Sequence, residues 1–100
     1  MTIFTHVNPD LDALASVWAV ETFMHEHSVG SCEVTFVPSN WDGEGAQKTD
    51  IIVDISANGK GVKGKEDPDG TVHSAFKMIV EQQATPAERE ALVELIAFVD

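Results

Sequence analysis

The sequence predicts an α/β domain, a small and mainly parallel sheet flanked by helices. Three observations carry that expectation. A short β-branched segment, Thr2–His6, runs into an Asn-Pro turn and then into a helix-length stretch. Two further strand-like segments follow, Glu33–Val37 and Ile51–Ile55. Helical spacing returns only after them, in the last third of the chain. Strands interleaved with helices in this way favour parallel pairing, because the crossover returns the chain to the same end of the sheet. At 100 residues, one domain spanning 1–100 is the expectation.

Each element has a local reason. Thr2–His6 is β-branched and aromatic and ends at a turn, the signature of a buried strand. Asn8 is a good N-cap and Pro9 suits the first helical position, so a helix is expected over Pro9–His27. Leu11, Leu14, Ala15, Trp18 and Phe23 recur along it at roughly helical spacing, with Trp18 and Phe23 read as core. His25 and His27 fall at its far end, placed well against the C-terminal dipole, and Gly30 closes the region. Glu33–Val37 alternates polar and apolar residues and is closed by Pro38. Ser39–Asp50 is a polar loop in which Trp41 either covers a pocket or packs down.

Ile51–Ile55 is an apolar run broken only by Asp54, a pattern expected of a strand buried on both faces. Ser56–Gly70 reads as a long loop ending in the turn sequence Asp67-Pro68-Asp69-Gly70. Thr71 is positioned to cap a second helix through Ala75, Phe76, Ile79 and Val80. Thr85-Pro86-Ala87-Glu88 is a capping box, opening a third helix from Pro86 to near the end, with Leu92, Leu95, Ile96 and Val99 on one face. Three strands make a small sheet with exposed edges, so self-association, or a partner chain completing the sheet, is expected.

Composition narrows the function classes. Asp and Glu number 17 against 6 Lys and Arg, a net charge of −11. Such a chain is poorly suited to nucleic acid or an anionic membrane, both of which need clustered positive charge. It suits a cation site. The single cysteine, Cys32, excludes an internal disulfide framework and reads as a small core residue or an inert thiol. No apolar run approaches the roughly 18 residues of a membrane span, and no basic leader is visible, so the cytoplasm is the expected compartment.

Four constellations could carry chemistry. His6, Asp10 and Asp12 lie where the first strand hands over to the first helix, at the strand's carboxyl end. Ligands bind at that edge in open α/β sheets. Two carboxylates and an imidazole suit Mn²⁺ or a similar cation, whereas acids in a first helical turn also serve the helix dipole. Asp54 is an acid inside the most apolar strand, where a carboxylate needs a partner. Gly59–Lys65 has the spacing of a phosphate loop, but Glu66 stands where Ser or Thr would bind Mg²⁺. Its Lys60, Lys63 and Lys65 form either an anion-binding loop or a solvated one. His73 precedes the second helix, as a cap residue or a ligand.

Thr5-His6-Val7-Asn8-Pro9-Asp10-Leu11-Asp12-Ala13-Leu14-Ala15-Ser16 resembles the first motif of the DHH phosphoesterase superfamily. That group includes manganese-dependent inorganic pyrophosphatases, single-strand exonucleases and phosphodiesterases of short or cyclic nucleotides. The resemblance implies that His6, Asp10 and Asp12 bind a metal pair, Mn²⁺ or Mg²⁺, and that Asp54 is the second-motif acid bridging it. The third motif, Asp-His-His, has no counterpart in Asn58–Lys65, where lysines stand instead. His73 is the nearest substitute, and Asp100 is the position that matches the fourth motif. The resemblance covers most of this chain and about the first half of a family enzyme, without its substrate-binding domain.

Three functional expectations follow. The first is a metal-dependent phosphoesterase acting on a phosphorylated small molecule or short nucleotide, with phosphate held by Lys60, Lys63, Lys65 and His73. The second is a degenerate, non-catalytic DHH-like binding or interaction module. The third is a nucleotide binder built on the Gly59–Lys65 loop alone.

Overall fold

The computed structural model describes residues 2–23 and 33–100. The last part of the expected first helix, with His25 and His27, and Gly30 and Cys32 lie outside the described residues. The fold is α/β, with a three-stranded parallel sheet flanked by helices. β1 (Thr2–His6) is central, between β2 (Glu33–Val37) and β3 (Ile51–Ile52). Ile3 pairs with both Val34 and Ile51, and Phe4 with both Thr35 and Ile52.

β1 alternates as its period requires. Ile3 and Thr5 are buried on one face, and Phe4 points to the other. Helices cover the first face: Ile3 and Val53 pack with Val17 and Val20 of α1 (Leu11–Phe23) and with Phe76, Ile79 and Val80 of α2 (Ala75–Gln83). The second face is covered by a loop. There Phe4, Ile52, Ile55 and Val37 meet Trp41, whose ring centroid lies 4.7 Å from that of Phe4. Trp41 therefore packs down, half-buried, against this second cluster.

Several sequence-based expectations need correction. α1 starts at Leu11, and its cap is Asp10, whose Oδ1 accepts the Ala13 N–H at 2.9 Å. Asn8 instead takes a left-handed conformation, φ 56°, in the connecting turn. The buried stripe of α1 is Ala13, Ser16, Val17, Ala19 and Val20. Leu11, Leu14 and Trp18 are roughly half exposed. The helix is apolar all round, so the large residues were a poor guide to its inner face; close approach to the sheet favours the small ones. β3 is shorter than Ile51–Ile55 because Asp54 turns the chain at φ 59°. Val53 instead forms an isolated parallel bridge with Val62.

The expected long loop is also partly ordered. A 3-10 turn spans Ala57–Gly59, and a hairpin joins β4 (Lys65–Glu66) to β5 (Val72–His73) around Asp67–Gly70. The cap of α2 is Ser74 rather than Thr71, its Oγ accepting the Lys77 N–H at 3.0 Å. The Thr85–Glu88 capping box is present, but the last helix is two: α3 (Pro86–Ala91) and α4 (Val93–Val99). Leu92 breaks the run and packs with Ile96 and Val99 against the core, which leaves Leu95 on the exposed side. No helix among the described residues is long and apolar enough to cross a membrane.

Candidate metal centre

The centre forms at the carboxyl end of the central strand. His6 closes β1, and the turn after β3 carries Asp54 beside it. His6 Nε2 lies 2.8 Å from Asp54 Oδ2 and 3.9 Å from Asp10 Oδ1. One ligand atom from each of these three residues falls within 4.8 Å of the others. The His6 and Asp54 side chains are largely buried, at 15% and 12% exposure, while Asp10 is open to solvent at 66%.

Hydrogen bonding defines the state of the imidazole. His6 Nδ1 sits 3.0 Å from the Val7 carbonyl oxygen, which can only accept. The Nδ1 proton therefore goes to Val7, and in a neutral ring the Nε2 lone pair faces Asp54. A lone pair and a carboxylate oxygen at 2.8 Å need something positive between them, a shared proton or a cation. The titration shifts agree. The hydrogen bond with Asp54 is the main cause raising His6 above its ordinary value. Burial, and then the carboxylates of Asp12 and Asp10, push Asp54 up to about 6 against the opposing pull of His6.

The loop geometry that delivers Asp54 depends on a glycine. Gly61 lies against the Ile55 backbone so closely that a Cβ there would run into the Ile55 carbonyl oxygen. Asp54 N–H donates to the Val62 carbonyl at 2.6 Å, and Val62 N–H to Ile52 at 2.8 Å. The glycine-rich segment read as a phosphate loop thus acts as a brace behind Asp54. Its glycines were visible in the sequence; the surface they pack against was not.

The structure brings together three of the four candidate metal ligands. Asp12 lies beside Asp54, but its Oδ2 accepts Ala75 N–H at 3.0 Å and its Oδ1 accepts Phe76 N–H at 2.9 Å. It ties the start of α1 to the first turn of α2. Asp100 reaches the same helix end, where its Oδ1 accepts Ser74 N–H at 3.1 Å and its Oδ2 is 3.8 Å from Lys77 Nζ. It serves that cap, not the His6 cluster. None of these three hydrogen bonds has a local sequence signal, since the partners are 26 to 64 residues apart.

Of the four candidate phosphate residues, only Lys65 and His73 come together, as a cross-strand pair lining one groove. The stem of Lys60 passes beside Gly43, and the residue lines a groove with Lys48, Gln47 and Asp50. Lys65 opens β4 and lines a different groove with Asp67, His73 and Glu81. Lys63 is exposed. His73 Nε2 lies 2.7 Å from Asp67 Oδ2, and that bond is the main cause holding the Asp67 carboxyl below its ordinary value. Gly59–Lys65 is followed by a strand, not by the helix whose N-terminus gives a phosphate loop its field.

Comparison of the chain with protein-family models, with curated proteins and with solved structures returned no match.

Proposed function

We propose that this protein binds a divalent cation, Mn²⁺ or Mg²⁺, through His6, Asp10 and Asp54, and hydrolyses a phosphoester or pyrophosphate bond in a small phosphorylated molecule or short nucleotide. One observation carries the reading: the Nε2 lone pair of His6 and the carboxylates of Asp54 and Asp10 meet within 4.8 Å at the carboxyl end of a parallel strand. An imidazole with two oxygen donors suits a borderline divalent ion. The Val7 carbonyl supports this, because a carbonyl on the second ring nitrogen fixes the tautomer that ligates. The resemblance of Thr5–Ser16 to the DHH first motif supports the reaction class.

When bound, such a cation lowers the pKa of coordinated water and offsets charge on a phosphoryl oxygen. The chain's own residues do the positioning. His6 and Asp54 hold the ion on a buried floor, and Asp10 borders it on the solvent side, where a substrate would enter. With both Asp12 oxygens engaged by α2, the donors fit one ion better than the pair the resemblance implies. The reading includes a cytoplasmic location, a compartment that suits a chain with one cysteine.

A second reading is a binding module without turnover. It is favoured by the absence of an Asp-His-His triplet in Asn58–Lys65 and by the separation of Lys60 from Lys65. Calorimetric titration with Mn²⁺ on the wild type and Asp54→Asn, followed by assays of phosphate release from pyrophosphate and short oligonucleotides, separates the two. The expected result is saturable binding by the wild type, loss of binding in the variant, and phosphate release. Absence of binding by the wild type overturns the metal centre; binding without release assigns the second reading.

A further inference from the structure

The outer edge of β2 is built for pairing. It is an edge strand, and its outer side has no partner among the described residues. Glu33, Val34, Thr35 and Phe36 are all exposed, Phe36 at 48%. The strand carries no Lys, no Pro and no bulge, the devices by which proteins blunt such edges. Its composition, two valines, a threonine and a phenylalanine with a single acid, has high β-propensity.

Register shows which groups face outward. The Val37 carbonyl accepts Val7 N–H at 2.9 Å, so the backbone groups of Val37, and by alternation those of Thr35 and Glu33, point to β1. Those of Val34 and Phe36 point away. Val34 and Phe36 pair with Ile3 and Thr5 across the sheet, so both side chains lie on the helix-covered face.

We propose that β2 pairs antiparallel with β2 of a second copy of this chain, about a two-fold axis through Thr35, giving a continuous six-stranded sheet. This register is self-complementary. Val34 of one protomer faces Phe36 of its partner, and these are the residues whose N–H and C=O groups are free to exchange hydrogen bonds. Thr35 faces its own copy at the closely spaced, non-hydrogen-bonded position. The pairing gathers two valines and two phenylalanines on one face, an aromatic with β-branched combination that stabilises cross-strand pairs. It sets Glu33 opposite Val37, so the strand's one acid avoids its own copy. A parallel pairing would place glutamates nearly side by side. With a charge of −11 on each protomer, association strengthens with salt.

The test is sedimentation velocity over a concentration series of the full chain, with Val34→Lys, Phe36→Lys and Leu14→Lys. The expected result is a reversible dimer, favoured by added salt, whose dissociation constant rises about tenfold or more in the first two variants and stays unchanged in the third. Circular dichroism checks that each variant is folded. Because a lysine variant could fail to fold, Thr35→Cys in a Cys32→Ser background gives a second measurement. Facing Thr35 Cα atoms should lie about 4.5 Å apart, within disulfide range, so mild oxidation should yield a covalent dimer, while Leu14→Cys in the same background should not. A monomer at all concentrations overturns the proposal. So does a dimer indifferent to both lysine variants, a dimer lost only in Leu14→Lys, or the absence of a Thr35→Cys crosslink.

Discussion

His6 and Asp54 behave as one unit. The Val7 carbonyl takes the Nδ1 proton, so the space between Nε2 and Asp54 Oδ2 holds a proton or a cation. Both groups bind protons more tightly folded than free. For Asp54 the ordinary value of 3.8 rises to about 6, so the stability its proton confers is complete below about pH 4 and is lost as pH rises through about 6. His6, raised above its ordinary 6.5, carries the loss further upward. Without metal, the urea midpoint should therefore fall from about pH 4 through about 6, and on above 6.5, from this pair. Mn²⁺ affinity should rise over the same interval, because the ion replaces the proton. Asp54→Asn should flatten the first profile and abolish binding. A wild-type affinity indifferent to pH would show that the ion does not compete with this proton.

At the scale of elements, α2 is the hub. Its first turn is held from three directions: Ser74 caps Lys77, Asp12 takes Ala75 and Phe76, and Asp100 takes Ser74. Acidic groups at a helix N-terminus also gain from the dipole. Asp12→Ala leaves two N–H groups without their acceptor and should cost about 1–3 kcal/mol in urea unfolding. Asp10→Ala removes a single cap bond, made by a side chain that is mostly open to solvent, and should cost about 1 kcal/mol. The ranking matters more than either figure: if Asp10→Ala is the more destabilising, the tie between α1 and α2 is not the structural role of Asp12.

Across the whole molecule, charge opposes compaction. A net −11 is carried on a body with a radius of gyration of 13.2 Å. Screening acts over about 10 Å at 0.1 M salt and about 3 Å at 1 M, so at low salt charges across the protein still repel. The urea midpoint should rise with KCl in the range of about 0.05–0.5 M and then level off. A midpoint that falls with salt would mean that ion pairs such as Lys77–Asp100 outweigh the general repulsion.

The elements of this fold were legible because their signals are local. β1 and β2 occupy the residues their composition marked, and Thr85–Glu88 forms the capping box its spacing announced. Their order was enough for a parallel α/β sheet. His6, Asp10 and Asp54 were legible as candidates because each is a polar residue where an apolar strand or a helix start made it conspicuous. What the local pattern could not show was how α1 is rotated, since a helix apolar on every side has no periodic contrast to read. Nor could it assign Asp12 to α2, Asp100 to Ser74 or Gly61 to the back of Ile55. Those contacts join segments far apart in sequence, and packing alone decides which donor a carboxylate meets and where only a hydrogen fits.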